Sequence, residues 1–79
     1  MKPQIGDTCI VVGPNSNGAT EHPAVITRVW NNEDPMMVNV TCFLDHAAPT
    51  FYGSVPLFQR KEELMHPVGG MAAYLPANT

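Results

Sequence analysis

His22-Pro-Ala-Val-Ile-Thr-Arg-Val-Trp30, followed by Met37-Val-Asn-Val-Thr-Cys-Phe-Leu44, is the pair of stretches that decides the fold. Both are dense in β-branched and aromatic residues, both are bounded by turn formers, and neither carries a helical repeat. They read as the two central strands of an all-β domain, joined across residues 31–36. In the second strand the side chains alternate cleanly. Val38, Val40, Cys42 and Leu44 form a core face, with Asn39, Thr41 and Phe43 opposite. In the first strand Val25, Thr27 and Val29 share one face, and Ala24, Ile26, Arg28 and Trp30 share the other. Neither of those faces is purely polar. The spacing therefore predicts an exposed apolar surface of Ile26, Trp30 and Phe43, where a monomeric barrel would want polar groups. Exposed apolar area of that kind marks an interface or a ligand groove.

Working outward, Gly6-Asp7 makes a turn, and residues 8–12 a first short strand ending at Gly13-Pro14. Residues 13–21 are polar, with Asn17-Gly18 as the sharpest turn signal, and read as an exposed loop. Pro23 is suited to a strand opening, where its missing N–H costs nothing. After a turn at residues 45–50, residues 51–55 form a fourth strand, with Gly53 at a bend or bulge. Residues 56–59 read as a tight helical turn. Residues 60–65 are equally a further helical turn or a solvated loop, and the chain breaks at 66–70. Residues 71–75 supply a short closing strand. Five short strands punctuated by 6 glycines and 8 prolines predict a five-stranded SH3-like barrel occupying residues 1–79 as a single domain.

A domain of 79 residues has a thin stability margin and usually needs a staple. Cys9 and Cys42 allow at most one disulfide, too sparse for a secreted scaffold. Self-association is the staple that remains, and a homo-oligomer is expected. The formal net charge is −3, and Lys2, Arg28, Arg60 and Lys61 are the only Lys and Arg residues. Such a chain does not supply the row of cations that long nucleic acid requires. The first seven residues lack the apolar core of a signal peptide, and no run approaches membrane-spanning length. A cytoplasmic protein with reduced thiols is expected.

Chemistry is sparse. Cys9, His22, Cys42, His46 and His66 are spread singly, without the paired spacing of zinc ligands, so no metal site is expected. Cys42 continues the core series and behaves as a small hydrophobe, which argues against a Cys42–His46 nucleophile and base. The acids Glu33-Asp34 and Glu62-Glu63 are adjacent pairs in solvated segments, not a spaced acid/base pair. No cofactor motif stands out, and binding without catalysis is expected. Arg28 is the single charge inside a strand. A guanidinium pairs with phosphate as a bidentate fork, and Trp30, Phe43, Tyr52 and Tyr74 offer rings on which a base could stack. Those five residues are the candidate ligand-binding set, set against the plainer readings of Arg28 as a surface arginine whose stem covers apolar neighbours and of the four rings as ordinary core or interface packing.

The order Gly6-Asp7, the 22–30 strand, Val38-Asn-Val-Thr41, Asp45, Ser54-Val55 and Gly69-Gly70 before a terminal aromatic-Pro segment resembles a set of small proteins encoded by tailed bacteriophages. The resemblance implies a phage origin and hence the host cytoplasm. Phages encode compact oligomers that sequester nucleotide immune signals, and that role fits an arginine and aromatics on shared surfaces. The alternative is a protein–protein module docking a host or virion protein. A second resemblance, in Gly6-Asp7, the strand ending at Trp30 and Gly53-Ser54-Val55, is to the plasmid-borne type II dihydrofolate reductases. It implies an SH3-like oligomeric architecture. The pore-lining Val-Gln-Ile-Tyr of those enzymes falls on Val55-Pro-Leu-Phe58, where Pro56 and Phe58 remove the amide and the phenol. The resemblance therefore argues against that activity.

Overall fold

The computed structural model describes residues 3–30, 36–45, 47–64 and 71–76, with the side chains of 15 and 16 excepted. Residues 31–35 of the expected 31–36 link, His46, and the break at 66–70 lie outside them, and Met36 already belongs to a strand. Five strands close into a barrel: β1 (Thr8–Ser16), β2 (Ala19–Val29), β3 (Met36–Cys42), β4 (Thr50–Phe58) and β5 (Ala72–Tyr74). Neighbours from β1 to β4 pair antiparallel, and β5 closes the ring by running antiparallel to β1 and parallel to β4. A single 3₁₀ turn, Lys61–Glu63, is the only helical element among the described residues. No helix among them is long and apolar enough to cross a membrane.

Inward-facing residues stack in cross-strand layers. Cys9, Ala24 and Cys42 form one, Ile26 and Val40 with half-buried Tyr52 the next, and Val38 and Val55 with half-buried Val29 a third. Cys9 and Cys42 are free buried thiols on opposite sides of Ala24. Burial pushes the Cys9 thiol up to about 11, with Cys42 adding to the effect, and raises Cys42 as well. Neither is an activated nucleophile.

Ile26 corrects the expected exposed surface, since it is 0% exposed and lies in the core. The cause is a bulge. Ile26 pairs with Val40, but Arg28 pairs with Asn39, so Thr27 is an extra residue in β2. Beyond it the side-chain alternation resets: Thr27 and Arg28 are both exposed, and Val29 turns inward opposite Val38. A simple period of 2 therefore groups Ile26 with Arg28 and Trp30 when they face opposite ways.

The other differences have equally local causes. The segment expected as a loop at 13–21 is a hairpin whose strands run to Ser16 and from Ala19. Asn17 and Gly18 both take positive φ (52° and 83°), as the two central residues of a type I′ turn require. Irregular pairing between Val12 and Ser16 absorbs Gly13-Pro14, with Gly13 at φ 133°. There His22, 1% exposed, lies with Nε2 2.6 Å from the Pro14 carbonyl oxygen, which fixes that nitrogen as the donor. Residues 56–58 continue β4 rather than forming a helical turn, because Val55 and Leu57 alternate into the core and proline's φ suits extended chain.

Candidate functional site

Outside the barrel, β3 is flanked by two bulges at the same level. Thr27 is the extra residue of β2. On the other side Val38 pairs with Val55 and Val40 with Tyr52, so Gly53 and Ser54 together oppose Asn39. This is the bend anticipated at Gly53, and Ser54 occupies it at φ +52°, the left-handed region that non-glycine residues rarely enter. Asn39 ties the arrangement together. Its Oδ1 accepts the Trp30 Nε1–H at 2.7 Å and the Ser54 backbone N–H at 2.9 Å. The Trp30 backbone N–H donates to the Met37 carbonyl, holding the end of β2 against β3.

Trp30 is thereby fixed by its indole nitrogen yet remains 49% exposed. The Arg28 guanidinium lies over its ring, 3.9 Å from the centroid. At an exposed site such a contact is worth about 0.5–1 kcal/mol, enough to favour one orientation of the side chain. No carboxylate among the described residues bonds Arg28. The result is a stacked cation on an anchored ring, a surface that can receive an anion or a planar π-system.

The structure brings only Arg28 and Trp30 of the five candidates together. Phe43, 44% exposed, sits beside Pro23 on the outer wall, where its N–H donates to the Pro23 carbonyl. Tyr52 pairs with inward-facing Val40 and packs against the core. Tyr74 is on β5, where its ring lines a groove of about 900 Å³ with Ile10, Leu75, Pro3 and Arg60. Its hydroxyl donates to Glu21 Oε1, and Lys61 Nζ lies 2.8 Å from Glu21 Oε2. Hydrogen bonds from Lys61 and Tyr74 hold the Glu21 carboxyl below its ordinary range, and the same pairing raises Lys61 and Tyr74. The groove's lysine is thus already matched by an acid.

Three residues that matter here were not candidates from sequence. Asn39 and Ser54 build the Arg28–Trp30 surface. Phe51, 81% exposed, extends the apolar outer wall next to Thr41 and Val25. Among the described residues no three of His, Cys, Asp and Glu converge as metal ligands would. Comparisons with protein-family models, curated proteins and solved structures find no match for this chain.

Proposed function

We propose that the chain works by binding rather than turnover, as a homo-oligomeric SH3-like barrel that captures a small anionic, nucleotide-type ligand on Arg28 and Trp30. The observation that carries this reading is the Arg28 guanidinium stacked 3.9 Å over an anchored, half-exposed indole. The cation supplies charge for a phosphoryl group and the aromatic edge supplies contact for a base. The antiparallel run from β1 to β4, the 3₁₀ turn and the short closing strand support the SH3-like reading. Association of copies would add further arginines to one ligand, which matters for a chain with only 4 Lys and Arg residues. In a phage, such a capture protein would withdraw a nucleotide immune signal from host defence.

The test is thermal unfolding of the purified protein against a panel of cyclic and linear nucleotides. A ligand at 100-fold over its dissociation constant adds about 2.7 kcal/mol. Arg28→Gln should abolish the shift. A panel that moves neither protein ends the reading, as does a ligand that stabilises wild type and Arg28→Gln equally.

A second reading rests on the outer wall. Phe43 and Phe51 are exposed at 44% and 81%, with Pro23 between β1 and β3 also on the surface. A module docking a host or virion protein would use that wall. Capture of a defined partner that survives Arg28→Gln and is lost on Phe51→Ser would favour it.

A further inference from the structure

We propose that the surface between the two bulges is a donor-only seat for an oxyanion, in which Asn39 supplies its side-chain amine beside Arg28 and selects phosphoryl-bearing ligands over neutral ones. The proposal rests on the Arg28–Trp30 reading above and specifies what that site recognises.

The argument begins with the two lone pairs of a carboxamide oxygen. At Asn39 the Trp30 indole N–H and the Ser54 backbone N–H occupy both. Both partners can only donate, which settles the orientation of the amide: a flipped Asn39 would set an NH₂ group against two N–H groups. The amine is consequently held away from these partners, with two N–H donors that meet no acceptor among the described residues. Arg28 stands directly opposite Asn39 in the β2–β3 ladder, and its guanidinium adds up to five donors. It lies over the face of Trp30, a contact that consumes none of them. The hydroxyl of exposed Ser54 both donates and accepts, so the donor-only set is Arg28 and Asn39. The acceptor capacity of Asn39 is spent internally, and only donors are turned to solvent by Arg28 and Asn39. A phosphoryl group, with three acceptor oxygens and negative charge, is complementary to that set. An ammonium or a donor-rich edge is not.

The backbone supports the same conclusion. Two bulges flank one residue of β3, each re-aiming the chain beside it. Ser54 sits in the left-handed region that non-glycine residues rarely enter, and its N–H is aimed at Asn39. The bulges serve the curvature of the barrel, and the same re-aiming sets Arg28 and the Ser54 N–H on either side of Asn39.

The experiment is ¹⁵N-detected titration of the full chain with AMP, inorganic phosphate and adenosine, following the Asn39 side-chain amine and Arg28 Nε–H signals. AMP and phosphate should shift both signals saturably, and adenosine should shift neither. Asn39→Asp keeps an acceptor for Trp30 and Ser54 but removes both donors and adds a negative charge. It should weaken AMP binding at least tenfold while leaving the Trp30 emission maximum in place. AMP binding within twofold of wild type in Asn39→Asp overturns the donor role and leaves Arg28–Trp30 capture standing. If that variant does not fold, the wild-type Asn39 amine decides: AMP saturation that shifts Arg28 and not Asn39 also overturns the proposal. Loss of the signal shifts for every phosphate compound removes both readings together.

Discussion

Ile26→Ala tests the bulge on which the placement of the site depends. Ile26 is 0% exposed and faces Val40 in the barrel. The substitution removes three buried carbons, worth ~0.8 kcal/mol each, or about 2.4 kcal/mol in lost transfer energy. A closed barrel relaxes poorly around a missing side chain, and the remaining cavity raises the cost toward ~4 kcal/mol, within the usual range for Ile→Ala in a core. A folded chain of 79 residues should be stable by only about 4–12 kcal/mol. The variant therefore forfeits a third or more of its stability. Urea and thermal unfolding followed by circular dichroism would measure this, with a fall in melting temperature of at least about 10 °C expected at ~4–8 °C per kcal/mol. Val25→Ala, one residue earlier and half-buried on the outer wall, should cost less than half as much. An Ile26→Ala variant within about 0.5 kcal/mol of wild type would behave as an exposed-site substitution. That result would refute the register, and Arg28 would no longer be opposite Asn39.

Three further outcomes follow from groups already placed. His22→Phe fills the buried space but cannot donate to the Pro14 carbonyl, so it should destabilise by about 1–3 kcal/mol in urea unfolding. Glu21 titrates below its ordinary value in the folded state, because Lys61 and Tyr74 hydrogen-bond its charged form. Its contribution is complete above the unfolded carboxyl value of about 4.3 and is lost as pH falls through the lower folded one, so Glu21→Gln should flatten that part of the acid limb. Cys9 has the opposite sign: its folded value is pushed up to about 11, so its contribution is present below the ordinary thiol range and lost as pH rises from about 9 toward 11. Cys9→Ser should reduce that alkaline loss, and a thiol reagent should label Cys9 and Cys42 of wild type at neutral pH only as fast as the protein opens.

The all-β class was legible because local and long-range signals agree along most of the chain. In β3, Val38, Val40 and Cys42 alternate without interruption and all three are buried. Asn17-Gly18 has the backbone its residue types demand. In β2 the signals part. Ile26, Arg28 and Trp30 are spaced as same-face residues, but the ladder with β3 inserts Thr27, and the sequence of β2 carries no mark of an insertion defined by its partner. Arg28 and Trp30 stood out as a charge within the expected 22–30 strand and the one tryptophan at its end, although β2 in fact begins at Ala19 and carries Glu21 as well. Asn39 did not, because its importance comes from what the neighbouring strands bring to it: an indole N–H from β2's end and a backbone N–H from a bulge in β4. The Glu21 pairing with Lys61 and Tyr74 spans 40 and 53 residues and could be read only from the closed ring.

Closure of the barrel and construction of the site have a common cause. A ring of five strands is narrow and must bend sharply, and bulges provide that bend by adding a residue to one strand of a pair. Each added residue also shifts the alternation by one position. In β2 that shift keeps Val29 in the core while leaving Thr27 and Arg28 both outside. In β4 it sends the Ser54 N–H sideways to Asn39. A straight ladder without the extra residues would satisfy these backbone groups within the sheet, and Asn39 would keep a free acceptor. The curvature that lets so small a barrel close is thus what turns Asn39 and Arg28 into a surface that presents donors.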